Sequence, residues 1–120
     1  MPKGARGECT LEAEGRSYPV LFTNRALAQA ERVINKPMLE LLTAIQSRQL
    51  GVGDTAQLLA IGMEFGRRDA KAGGRSYGVE DAFRVMDELG FTAVLTAVLE
   101  GVAAVLVYDG ETDGDKNPPA

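Results

Sequence analysis

The sequence predicts an α+β domain: an N-terminal antiparallel β-hairpin packed against a bundle of four to five α-helices. Three observations carry that expectation. Apolar and polar residues alternate on both sides of a glycine-bearing turn between Glu8 and Phe22. From Asn24 onward apolar residues recur at intervals of three and four. Breaks rich in glycine, proline or asparagine separate the recurring stretches.

In the opening segment Cys9, Leu11 and Ala13 alternate with polar residues, Glu14-Gly15-Arg16 supply the turn, and Tyr18, Val20 and Phe22 alternate on the return. A period of two places each set on one face of a strand. Tyr18, Val20 and Phe22 carry the larger apolar area and are expected to face the helices. Thr23 or Asn24 then caps a helix beginning near Arg25, because either side chain accepts a bond from an orphan backbone N–H. Leu27, Ala30, Val33 and Ile34 mark its apolar positions, and Asn35-Lys36-Pro37 stops it.

Met38, Leu41, Leu42 and Ile45 give a second helical stretch that ends at Gly51-Val52-Gly53. Asp54 or Thr55 is expected to cap the third, whose apolar positions are Leu58, Leu59, Ile61, Met63 and Phe65. Gly62 and Gly66 lie inside it, each costing up to about 1 kcal/mol against alanine. They mark either a close approach of a neighbouring element or the place where the helix bends or ends. Ala72-Gly73-Gly74-Arg75 is a break. Gly78-Val79-Glu80-Asp81 opens the next helix with acidic residues in its first turn, favourable to the helix dipole, and Val79, Ala82, Phe83, Met86 and Leu89 form one stripe. Gly90 interrupts, and Thr92 is expected to cap a last helix reaching about Val107. The domain assignment is one α+β unit over residues 1–108, with the hairpin at 8–22 and helices across 24–107, followed by a disordered acidic tail at 109–120.

Composition narrows the function. The chain has 120 residues, 45% of them hydrophobic and 25% charged, as in ordinary globular domains, and by size it buries about two-thirds of its unfolded surface. It contains no histidine and one cysteine, Cys9. That excludes Ser-His and Cys-His nucleophile pairs, a histidine proton shuttle, and zinc sites built on histidine or on several cysteines. No apolar run reaches bilayer length and no basic-then-apolar leader opens the chain, so the expectation is a soluble, cytoplasmic protein with no membrane partner. A formal net charge of −4 disfavours nucleic acid as a partner.

Asp109, Glu111, Asp113 and Gly114 match the first half of a calcium loop, but the twelfth position is Ala120, so an acidic tail is the better reading. Arg67, Arg68, Lys71 and Arg75 could meet phosphates, yet Asp69 interrupts them and no aromatic platform accompanies them; a solvated helix end is favoured. The carboxylate pairs Glu80/Asp81 and Asp87/Glu88 point about 100° apart on a helix and do not converge. No glycine-rich phosphate loop is present. The expectation is therefore no catalytic, cofactor-binding or metal-binding residue, no cofactor, and no enzyme.

The order of structural signals resembles a family of small tailed-phage proteins, the tail assembly chaperones of the gene-transfer-agent type, some of whose members are labelled tail tube proteins. The residues that carry the resemblance are Gly7-Glu8 leading to Leu11, Gly15-Arg16-Ser17-Tyr18, and Leu21-Phe22-Thr23-Asn24-Arg25-Ala26-Leu27-Ala28-Gln29-Ala30-Glu31, with weaker matches at Leu50 to Leu59, Gly62 and Gly78 to Ala82. The longer stretch from Arg67 to Tyr77 departs from the compact pattern. The resemblance implies a non-enzymatic role in the host cytoplasm during tail morphogenesis: holding the tape measure protein soluble and recruiting tail tube subunits. The alternative is a structural tail component, a tail tube or tail terminator subunit.

The last helix is the expected contact with a partner or with a second copy of the chain. Val94, Leu95, Val98, Leu99, Val102, Val105 and Leu106 cover more than one stripe of it. The competing explanation is that this helix is simply central to the core, since either situation makes a helix apolar all round.

Overall fold

In the computed structural model, which describes residues 6–107, the alternating opening folds as β1 (Gly7–Ala13) and β2 (Arg16–Phe22), an antiparallel two-stranded sheet. The register sets Cys9 opposite Val20, Leu11 opposite Tyr18 and Ala13 opposite Arg16. The turn is therefore two residues, Glu14-Gly15, and not three; Arg16 already belongs to the strand. Glu14 and Gly15 both have positive φ, 56° and 72°, the geometry whose twist matches a right-twisted hairpin. A two-residue turn makes Ala13–Arg16 a hydrogen-bonded pair, and with it Leu11–Tyr18, Cys9–Val20 and Gly7–Phe22. Pro19 falls in an outward-pointing pair, so its missing N–H takes no bond from the ladder. Tyr18, Val20 and Phe22 are buried as expected.

Five helices follow: α1 (Asn24–Ile34), α2 (Met38–Gln46), α3 (Val52–Asp69), α4 (Val79–Leu89) and α5 (Phe91–Leu106). Thr23 caps α1, its Oγ1 accepting the Ala26 N–H at 3.1 Å. Asn35 ends α1 in the left-handed region, a conformation asparagine tolerates. Pro37 cannot offer a side-chain cap to α2, and Glu31 supplies one from α1 instead, accepting the Met38 N–H at 2.7 Å.

Two expected caps are corrected. The third helix starts at Val52 with Gly51 before it, so Asp54 lies in the first turn, where its charge suits the dipole. Thr55 is buried, and its hydroxyl donates back to the Gly51 carbonyl at 2.8 Å. Thr92 likewise lies inside α5, which begins directly after Gly90. Helices α4 and α5 turn through 118° across that one residue, and Gly90 holds φ 95° and ψ 147°, a conformation in which a side chain is strained.

The hairpin is the seat of the core. Helix α3 crosses β2 and also packs on α1, α4 and α5, while α5 packs on β1 and α2. Both helices approach through glycine. A Cβ on Gly62 would stand 2.7 Å from the Phe22 ring, one on Gly66 2.1 Å from the Pro19 carbonyl oxygen, and one on Gly101 2.7 Å from Phe22. A Cβ on Gly7 would overlap the Gly101 carbonyl, standing 1.9 Å from its oxygen. Of the two readings left open for Gly62 and Gly66, the close approach is the one realised; α3 runs on to Asp69. Among the described residues no single helix is long and apolar enough to cross a membrane. The expected tail at 109–120, with its partial calcium-loop pattern, lies outside the described residues.

Candidate interaction surface

The expected partner-binding set on α5 divides in two. Val94, Leu95, Val98, Val102 and Val105 are buried, whereas Leu99 and Leu106 are only partly so. The five buried residues face the hairpin and the other helices, so the set as a whole is not a surface patch. By residue type the helix looks apolar all round, but its exposed alanines, Ala93 and Ala104, carry a single methyl group each. Its solvent face is made of Thr92, Ala93, Thr96, Glu100 and Ala104, groups small or polar enough to meet water without a partner. Leu99 instead borders a small hollow of about 40 Å³ between α2 and α5, beside Ile45 and Arg48.

Exposed large apolar side chains among the described residues sit elsewhere: Val33 on α1, Leu39 on α2, Val52 at the start of α3 and Val107 after α5. Val33 borders a groove of about 260 Å³ between α1, α3 and the start of α4, floored by Ala60 and Ile61 and flanked by Tyr77 and Val79. A second hollow, about 360 Å³, lies on the hairpin beside the end of α3, with Glu8, Thr10, Pro19 and Leu21 on one side and Gly66 and Asp69 on the other.

The α3–α4 connection, residues 70–78, is held by two carboxylates that sequence reasoning did not single out as a pair. Glu64 accepts from Arg67 Nε and Nη2 (2.9 and 2.8 Å), from Arg68 Nε (2.9 Å) and from the Tyr77 N–H (2.8 Å). Arg67 spans onward to the Ala72 carbonyl at 3.0 Å. Asp81, 2% exposed, accepts from Arg75 Nη1 and Nη2 (3.0 and 2.6 Å), from Arg84 and from the Gly78 N–H (2.8 Å). The cluster expected as a solvated helix end is thus partly structural: Arg68 and Arg75 reach water, but each also grips a buried carboxylate. The signal was present in the spacing, since Glu64 stands three and four residues before Arg67 and Arg68, and Asp81 stands three after Gly78, where a side chain caps a helix.

These contacts set the electrostatics. Hydrogen bonds from Arg67, with Tyr77 and Arg68 adding to them, hold the Glu64 carboxyl down at about 2 against the opposing effect of burial. Arg75, with Gly78 and Arg84, holds Asp81 well below the usual carboxylate range. Burial, and then the charge of Glu100, push the Cys9 thiol up, away from the reactive thiolate. Glu64 and Asp81 therefore stay ionised with their oxygens engaged, which suits tethering a loop and not proton transfer. No cluster of three or more metal-ligating side chains occurs among the described residues. Comparison with protein-family models, with curated proteins and with solved structures gives no match.

Proposed function

We propose that the chain is a non-catalytic protein-binding factor of tail assembly in a tailed phage or gene transfer agent, working in the host cytoplasm to keep the tape measure protein soluble and to bring tail tube subunits to it. One observation carries the reading: the stretch Gly15 to Glu31, on which the resemblance chiefly rests, folds as β2 running through the Thr23 cap straight into α1. The motif is structural, and its residues occupy structural roles. The strongly shifted carboxylates support a binding role over a catalytic one, because arginines saturate them. A tube or terminator subunit remains the rival; against it, the described residues contain two strands in one sheet, few from which to build a continuous strand-lined ring.

The test is co-expression with a tape measure protein from the same tail gene cluster, should the genome hold one, followed by mass spectrometry of purified tails. A soluble tape measure protein only when this chain is present, and tails that lack the chain, are the expected results. Stoichiometric retention in finished tails would transfer the assignment to a structural subunit. Leu99→Asp and Val33→Asp, each checked for an intact fold by circular dichroism, then ask which face the partner uses.

A further inference from the structure

The hairpin has two outer edges, and they differ. Along β2 the outward-pointing pair contains Pro19, which has no N–H to offer, and α3 lies against the Pro19 carbonyl at Gly66. That edge is closed. Along β1 the outward-pointing residues include Thr10 and Glu12, both exposed, and no hydrogen bond from either backbone N–H occurs among the described residues. Helices α4 and α5 pack on β1, with Gly7 pressed on Gly101 and the Glu14 N–H donating to Glu88 Oε1 at 3.1 Å, yet they leave this row of donors and acceptors uncovered. An unguarded row of that kind is a template for another strand.

Charge says which strand. On the solvent face the Arg6 guanidinium bonds Glu8 and Asp69 at 2.6 and 2.9 Å. Among the described residues Glu12 takes hydrogen bonds from the Ser17 hydroxyl and from no cation. In-register pairing of β1 with a second copy, in either direction, sets carboxylate against carboxylate, which is unfavourable. On the opposite face Cys9 and Leu11 are only partly buried against the core, so a neighbouring strand with apolar residues at alternate positions would extend that cover. We propose that the free edge of β1 receives an extended segment of a partner protein in which basic and apolar residues alternate, a basic one facing Glu12 and the apolar ones facing Leu11 and Cys9. This does not depend on the tail-assembly reading and holds for any partner with such a segment.

The probe is a capped synthetic hexapeptide of alternating lysine and valine, added to the ¹⁵N-labelled full chain. Binding is expected to shift the Thr10 and Glu12 amides and to slow their hydrogen exchange at least tenfold. A peptide of equal charge with proline in place of valine, which cannot pair, should bind at least tenfold more weakly. Thr10→Pro, at a position where the ladder needs no N–H, should weaken the lysine–valine peptide by a similar factor while the hairpin signals persist. Should that variant unfold, Glu12→Lys serves instead and should shift preference to a glutamate–valine peptide. Equal binding of the two lysine peptides, or shifts spread over the acidic surface and absent from Thr10 and Glu12, would overturn the proposal. So would a dimer in sedimentation that Thr10→Pro dissociates, since the occupant would then be a second copy.

Discussion

The hairpin seat and the α3–α4 connection are both held firmly, but by different physics. Phe22, Val20 and the glycines of α3 and α5 meet by shape, with backbone or ring in contact at Gly62, Gly66, Gly7 and Gly101. The connection meets by charge, with the buried carboxylates of Glu64 and Asp81 each drawing in two arginines and one backbone N–H. Shape tolerates acid and salt but no added atom. Charge tolerates added atoms on its exposed arms but not the loss of ionisation. Substitutions and pH therefore separate the two regions.

The largest effect is expected at Phe22, fully buried between α3 and α5. Phe22→Ala opens a cavity that glycines on both sides cannot fill by side-chain movement, and should cost about 3–5 kcal/mol in urea unfolding at neutral pH. A loss below about 1 kcal/mol would mean that the two helices close over the gap and that the seat is not a fixed shape. Asp81→Ala should cost less, about 1–3 kcal/mol. Its arginines are largely open to water and resolvate, leaving chiefly the lost cap on Gly78.

Acid distinguishes the regions next. Because the folded Glu64 carboxyl is held at about 2 and Asp81 is held below its ordinary value, the unfolded chain takes up protons first as pH falls. The stability these groups contribute is fully present above about pH 5 and is lost progressively from there toward pH 2. The urea midpoint of the wild type should fall across that window. The double variant Glu64→Gln, Asp81→Asn should start lower and show a shallower fall. An unchanged slope would assign acid sensitivity to other carboxylates and remove the charge side of the comparison.

How far each region was legible in the sequence follows the same division. The hairpin could be read because Tyr18, Val20 and Phe22 repeat at the strand period, and the Thr23 cap because one side chain and a backbone N–H three residues on suffice to make it. The starts of α3 and α5 were misplaced for a local reason: glycine preceded each helix, and the threonine nearby was inside it, bonding backward or exposed. The connection was not legible as a unit, since Glu64 meets Tyr77 thirteen residues away only after α3 and α4 have docked. The burial of the α5 set was not legible for a different cause. Spacing reports how apolar a helix is and not which side its neighbours take, and here the hairpin and the other helices together bury five of the seven residues.

The smallest effect sharpens the account of shape, because it uses one substitution twice in one helix. Gly66→Ala and Gly53→Ala both add a methyl group to α3, both sites have φ outside the left-handed region, and both gain from lowering the entropy of the unfolded chain. At Gly66 the new Cβ meets the Pro19 carbonyl oxygen at 2.1 Å, backbone against backbone, where no side chain can swing aside. Strand and helix must part, and the net effect should be a loss of about 1–3 kcal/mol. At Gly53 nothing lies within 4 Å, so the entropic gain stands alone and the chain should be stabilised by about 0.5 kcal/mol, read as a small rise in the urea midpoint at unchanged slope. Opposite signs are the expected result. A destabilising Gly53→Ala would show that the first turn of α3 has neighbours on its open side; a neutral Gly66→Ala would show that α3 slides along β2, and the seat would then be held by Phe22 alone.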